Sequence, residues 1–260
     1  MRIVAIVQAR MKSSRLPGKV MKLISGHTLI DLLMRRLSRS ILIDKVVVAT
    51  SCDESNNHFV EHVKSLGYQC IQGSEDNVLE RYIEAAEVVD ADVIVRITGD
   101  CPLVDPALVD DIIRGFLSSE TDYYSNTIDP TFPDGLDVEV FSYKALKLCQ
   151  SKSTTLYDKE HVTPYLRDSG EFKTGSFTNS EDLSDLRWTV DELSDLDEIP
   201  NLADINFDII KNEIIIFRHE MFYYKFNLKL PNYKWTGSKA CKMKNLKSPQ
   251  WLRNIKDKKF

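Results

Sequence analysis

Over its first 120 residues the chain alternates β-type apolar runs with stretches of helical periodicity. Ile3-Val4-Ala5-Ile6-Val7 is a β-rich run with no polar face, as expected of a strand covered on both sides. Residues 27–39 follow with Leu29, Ile30, Leu32, Leu33 and Leu37 on one helical face. Val46-Val47-Val48-Ala49-Thr50 repeats the strand pattern, and Asn56–Leu66 repeats the helix with Phe59, Val60, Val63 and Leu66 inward. Gln69-Cys70-Ile71 predicts a short strand, 77–89 a helix, Val93-Ile94-Val95-Arg96-Ile97 a strand, and 106–117 a helix with Pro106 in its first turn. This order predicts a three-layer α/β/α domain around a mostly parallel sheet. Ligands of such sheets bind beyond the carboxyl ends of the strands, so the loops after the first and fourth strands are where chemistry is expected.

The second half is less regular. Tyr123-Tyr124-Ser125 precedes a turn-rich stretch, Asp129-Pro130-Thr131-Phe132-Pro133-Asp134-Gly135. Leu136-Asp137-Val138-Glu139-Val140-Phe141 then alternates and predicts a strand. Helices are predicted over 142–150 and 159–168. Arg187-Trp188-Thr189-Val190-Asp191 reads as a strand that ends in a carboxylate.

Composition excludes several classes. Hydrophobic content of 43% and charged content of 28% are ordinary for a globular protein, and the length allows a core that needs no staple. The five cysteines, Cys52, Cys70, Cys101, Cys149 and Cys241, are scattered and form no metal-ligand spacing, so free thiols are expected. His58 and His62 lie four apart but lack a third ligand. No stretch is long and apolar enough for a signal core or a membrane span, and a cytoplasmic setting is expected. Residues 222–260 hold eleven of the 34 Lys/Arg and one of the 39 acids, Asp257. That segment is therefore about +10 and the remainder about −15.

The loop Gln8-Ala9-Arg10-Met11-Lys12-Ser13-Ser14-Arg15-Leu16-Pro17-Gly18-Lys19 sets four cations directly after the first strand, with small residues between them. A triphosphate needs such cations and exposed backbone N–H groups, for binding and for charge on the leaving group. A solvated surface loop has the same composition; the position in the fold raises the triphosphate reading. No G-x-G and no G-x-x-x-x-G-K-[ST] occurs, so the dinucleotide and P-loop fingerprints are absent. The fourth strand ends in Gly99-Asp100-Cys101-Pro102, which puts Asp100 at the same sheet edge. Asp100 suits a Mg²⁺ ligand or a turn cap, and Asp191 equally a ligand or a helix cap; Asp105, before Pro106, reads as a cap.

At this point the motifs resemble a known family. Val7-Gln8-Ala9-Arg10 with Ser14-Arg15-Leu16-Pro17-Gly18-Lys19 is similar to the signature of the CMP-sugar-acid synthetases, CMP-KDO synthetase and acylneuraminate cytidylyltransferase. It is most similar to their homologue, the spore-coat polysaccharide biosynthesis protein F family. Thr98-Gly99-Asp100-Cys101-Pro102-Leu103, Gly73-Ser74-Glu75-Asp76-Asn77-Val78-Leu79-Glu80-Arg81-Tyr82 and Glu160-His161-Val162-Thr163-Pro164-Tyr165 carry the same resemblance. It covers roughly residues 1–200.

The resemblance implies a Rossmann-like nucleotidyltransferase fold with a short β-arm and a catalytic domain over 1–205; residues 206–260 depart from the family pattern and are read as a basic, aromatic-containing extension. It implies transfer of CMP from CTP to a sugar acid of the 2-keto-3-deoxy or nonulosonic type, with Mg²⁺ as cofactor and release of pyrophosphate, for surface polysaccharide. Arg10, Arg15 and Lys19 would hold the triphosphate and neutralise pyrophosphate. Gln8, Ala9, Ser14, Ser74, Asn77, Arg81 and Asp100 would complete the nucleotide site. Asp100 and Asp191 would hold the metal. Asp137, Glu160 and His161 would face the acceptor or a subunit interface, with Arg96 or Arg187 as the cation for an acidic acceptor. A homodimer is implied, and nucleic acid is not. The acceptor stays open, with a sugar phosphate or polyol phosphate as the alternative. A non-catalytic nucleotide- or polyanion-binding protein that uses the basic tail is the reading from another class.

Overall fold

A computed structural model describes residues 1–202. The predicted extension lies outside them, as do Cys241 and the end of the predicted catalytic domain. In chain order the elements are β1 (Ile3–Gln8), the hairpin strands β2 (Leu23–Ile24) and β3 (His27–Thr28), α1 (Leu29–Leu37), β4 (Lys45–Ser51), α2 (Asn57–Ser65), β5 (Gln69–Gly73), α3 (Val78–Val88), β6 (Val93–Thr98) and α4 (Pro106–Ser118). Then come β7 (Tyr123–Ser125), β8 (Glu139–Ser142), α5 (Tyr143–Lys152), α6 (Leu156–His161), α7 (Pro164–Asp168), β9 (Thr174–Ser176) and α8 (Leu193–Leu202).

The main sheet runs β5-β4-β1-β6-β8-β7-β9. β5, β4, β1 and β6 are parallel, β8 is antiparallel to both β6 and β7, and β9 returns parallel to β7. The short β elements off the parallel core are this antiparallel edge and the separate β2–β3 hairpin. Alternation along β1 sends Ile3, Ala5 and Val7 into a core with α1 and α4, and Val4 and Ile6 into a second core with α3 and α5. Both faces of the central strands are thus covered, which is why they read as apolar runs, broken in β6 only by Arg96.

Helix starts follow local chemistry. Thr28 Oγ1 accepts from the Asp31 amide at 3.2 Å, and Asn77 Oδ1 from the Glu80 amide at 3.1 Å. Asp105 accepts from Ala107 and Leu108 at 2.9 and 3.3 Å, the cap expected ahead of Pro106.

Three expectations are corrected. The strand predicted over 136–141 begins only at Glu139, because Asn126 holds the preceding turn by side-chain bonds to the Leu136 carbonyl and the Val138 amide. The helix predicted over 159–168 is split into α6 and α7 by Val162, which sits at φ 71°, ψ −54°. Thr163 N donates to His161 O at 2.8 Å across it, a γ-turn of the rare type. Residues 187–191 are extended but join no ladder; Arg187 makes one isolated bridge to Asp134.

Candidate active site

β1 lies between β4 and β6, and the connections diverge on either side of it. That is the switch point at which a parallel sheet opens a crevice. The basic loop leaves β1 there, and Gly99-Asp100 leaves β6 beside it. Gly99 N donates to Gln8 O at 2.8 Å, and a Cβ at Gly99 would stand 2.7 Å from Ala9 Cβ and from Gln8 O. Only glycine lets the two strand ends approach this closely.

Asp191 reaches the same point by a different route. Pro133-Asp134-Gly135 crosses the extended 187–190 segment. Asp134 donates its amide to Leu186 O at 2.9 Å and accepts from Trp188 N at 2.6 Å. Gly135 has φ +103°, and a Cβ there would meet the Trp188 carbonyl carbon at 2.5 Å. Asp195 then accepts the Asp191 and Glu192 amides at 2.7 and 2.8 Å, which fixes the start of α8.

These elements enclose a cavity of about 320 Å³. At one end Lys19 Nζ lies 2.9 Å from Asp100 Oδ2 and 2.9 Å from Asp191 Oδ1, with Arg15 3.0 Å from Asp191. Burial pulls the Lys19 ammonium down, but Asp100 and Asp191 outweigh it and the net shift is upward. Burial pushes Asp100 up, but Lys19 and Thr98 outweigh it and the carboxyl lies below its ordinary value. Lys19 and Asp100 are therefore both charged at neutral pH. Gln8, Ala9, Val78 and Arg81 line the same cavity. Arg81 is buried, donates to Ser74 O at 2.9 Å, and has no partner for Nε; Gln8 Oε1 is also buried without one. Buried polar atoms left open on a pocket wall are groups a ligand can satisfy.

Eleven predicted residues meet on this wall: Gln8, Ala9, Arg10, Ser14, Arg15, Lys19, Arg81, Asp100, Glu160, His161 and Asp191. Five do not. Ser74 Oγ accepts from Asn77 N, and Asn77 caps α3, so both side chains serve the turn. Arg96 pairs through Nη1 with Glu139, which also accepts from Tyr123 at 3.1 Å, and it does not line this cavity; its Nε is buried without a partner. Arg187 turns to Asp195 at 3.0 Å and Asp191 at 3.4 Å. Asp137 sits off the wall, and burial together with Asp134, Glu139 and Asp100 pushes its carboxyl up to about 7. Thr98 and Val78 also line the cavity and lie inside the sequence motifs without an assigned role, whereas Val20 carries no sequence signal of its own; Asp195 was also missed, though an acid in a first helical turn is a readable sign.

Mg²⁺ requires one or two carboxylates, with phosphate oxygens and water completing its shell. Two carboxylates from different elements converge here on a single cation, Lys19 Nζ, so the donor set fits. Among the described residues no group of three metal-ligating side chains occurs.

The profile of the cytidylyltransferase family matches residues 4–227. The chain belongs to this family. It is a CTP-dependent nucleotidyltransferase, and the family match runs past residue 205 into the stretch assigned to the extension. Among relatives of this cytidylyltransferase, protein MJ1063 of Methanocaldococcus jannaschii is 35% identical over 217 residues, covering 82% of this chain and 88% of its own. Spore coat polysaccharide biosynthesis protein SpsF of Bacillus subtilis is 34% identical over 209 residues, covering 77% and 85%. A solved cytidylyltransferase from Leptospira borgpetersenii superposes with TM-score 0.78 at 28% identity, over 88% of this chain and 99% of its own. CMP:2-keto-3-deoxy-manno-octonic acid synthetase, solved with CTP, shares the fold at TM-score 0.60 and 17% identity, over 78% of this chain and 99% of its own. Among the described residues, no helix is long and apolar enough to cross a membrane.

Proposed function

We propose that this cytidylyltransferase transfers CMP from CTP to a hydroxyl of a sugar acid, with Mg²⁺, in the cytoplasm, as a step toward a surface polysaccharide. The observation that carries the reading is the meeting of Asp100, Asp191, Lys19 and Arg15 at one end of a single cavity. The triphosphate takes that end. The base takes the wall that Gln8 and Arg81 line, where the unpartnered Arg81 Nε and Gln8 Oε1 offer a donor and an acceptor to a pyrimidine edge. The acceptor reading draws on the spore-coat relative and on Glu160 and His161 at the cavity wall.

The acceptor oxygen attacks the α-phosphorus of CTP. The new O–P bond forms as the bond to the bridging oxygen of pyrophosphate breaks, and the hydroxyl proton passes to solvent. Arg15 and Lys19 meet the charge that collects on the departing pyrophosphate. Arg10 adds a further cation at the wall, and Arg81 with the Gly99 backbone fixes the nucleotide for in-line attack. Asp100 and Asp191 would hold Mg²⁺, which supplies charge neutralisation on the phosphates when bound. A homodimer belongs to the same reading; Leu156 and Tyr157, 83% and 58% exposed beside His161, suit a second copy.

Pyrophosphate release tests this, with CTP, UTP, ATP or GTP against a panel of sugar acids, sugar phosphates and polyol phosphates. The reading expects release with CTP and a 2-keto-3-deoxy or nonulosonic acid. Release only with a phosphorylated acceptor would replace the acid. Light scattering giving the mass of one chain would remove the dimer.

A further inference from the structure

We infer that Lys19 is a resident stand-in for the divalent cation, so that metal is admitted only when a triphosphate draws the ammonium away. The inference rests on the metal reading above and adds an order of events to it. The ε-ammonium sits 2.9 Å from one oxygen of each carboxylate, at the point where Asp100 and Asp191 converge. It is 12% exposed, against 25% and 14% for the two acids. Three carboxylates, Asp100, Asp191 and Asp195, face three cations, Lys19, Arg15 and Arg187. The directly paired groups therefore balance, with Asp134 beside them as a further carboxylate. A divalent cation entering alone meets two carboxylates that are already paired and a centre that holds a like charge.

A triphosphate changes the balance. Its oxygens offer Lys19 and Arg15 a richer anion than one carboxylate oxygen each, and a lysine stem has the freedom to swing. Once Lys19 turns to the phosphates, Asp100 and Asp191 are left facing each other with a deficit of positive charge. A divalent cation then fills it and takes phosphate oxygens as its remaining partners. The same logic runs through the loop: Arg10 pairs with Glu75 at 3.1 Å and Lys12 with Asp53 at 2.6 Å. Each of the loop's four cations is thus held by a carboxylate before nucleotide arrives. Metal and nucleotide are coupled by linkage, each raising the affinity for the other.

The test is a titration of Mn²⁺ without nucleotide, with free Mn²⁺ read by electron paramagnetic resonance. Wild type, Lys19→Met and the double variant Lys19→Met/Asp100→Asn are compared. The expected result is that Lys19→Met binds Mn²⁺ on the order of tenfold more tightly than wild type, and that the double variant loses the gain. Wild type supplies a second readout that needs no variant. Mn²⁺ alone leaves its melting temperature unchanged, whereas Mn²⁺ and CTP together raise it by more than the sum of the separate shifts. Equal Mn²⁺ affinity in wild type and a folded Lys19→Met, or a clear shift with Mn²⁺ alone, overturns the stand-in role and leaves the metal reading in place. If Mn²⁺ adds nothing to the shift given by CTP, the metal reading falls and this inference falls with it.

Discussion

Val190 donates its amide to the carbonyl oxygen of Asp100 at 2.9 Å. Thr189 Oγ1 reaches the same oxygen at 3.3 Å. The backbone just before Asp191 is therefore fastened to the residue that carries the other carboxylate, although 90 residues of chain separate them. The spacing of the two acids is set by main-chain bonds, and the side chains only have to turn toward each other.

That fastening depends on the crossing at Gly135, whose φ of +103° and lack of Cβ let it lie against Trp188. Gly135→Ala should cost about 1–3 kcal/mol in urea unfolding, from strain and from displacement of the 187–190 segment. The same variant should show a smaller melting shift with CTP and Mg²⁺. A variant with wild-type stability and shift would show that the crossing does not place Asp191.

Val162 gives a prediction of unusual sign. Its φ of 71° suits glycine, yet its side chain is buried. Val162→Ala keeps the strain and opens a cavity, so it should cost about 1–3 kcal/mol. Val162→Gly removes more side chain but relaxes the backbone, and should be the more stable of the two variants by about 1 kcal/mol. Denaturant melts of both variants check this; alanine above glycine would place Val162 in an ordinary conformation.

Asp137 supplies a pH dependence. Its folded carboxyl lies at about 7 against an ordinary 3.8. Between these values the folded state holds a proton that the unfolded chain has released, so stability falls as pH rises through that window. Asp137→Asn imitates the protonated form. It should match wild type near pH 4, gain on it progressively toward pH 7, and keep a constant advantage above. Unfolding curves at pH 5 and pH 8 read the difference, and an advantage that did not grow between them would contradict the assignment.

Arg96 and Glu139 should behave as a structural pair. Arg96→Leu alone leaves a buried carboxylate and should cost about 3–5 kcal/mol. Arg96→Leu/Glu139→Leu should cost clearly less. Similar losses in both variants would return Arg96 to the list of acceptor-binding candidates.

The sequence carried the parallel half of the fold because strands buried on both faces are nearly continuous apolar runs, and Ile3–Val7, Val46–Thr50 and Val93–Ile97, the last broken only by Arg96, are such runs. The cation loop and Asp100 were legible for the same reason, since each directly follows one of those strands. Arg96 and Arg187 were not, because their type fitted an acidic acceptor while their partners, Glu139 and Asp195, lie on other elements. The break between α6 and α7 had a signal: Thr163-Pro164 is a place for a helix to restart. The periodicity of 159–168 outweighed it. Residues 187–191 resembled a strand because they are extended; their partners are a turn and the Asp100 carbonyl, which no periodicity encodes.

The most direct measurement is pyrophosphate release from CTP with a 2-keto-3-deoxy sugar acid, for wild type, Asp100→Asn and Asp191→Asn. The expected result is release by wild type and a loss of about a hundredfold or more in each variant, with circular dichroism and CTP binding retained. Wild-type rates in either folded variant would contradict a reaction centre built on these two carboxylates.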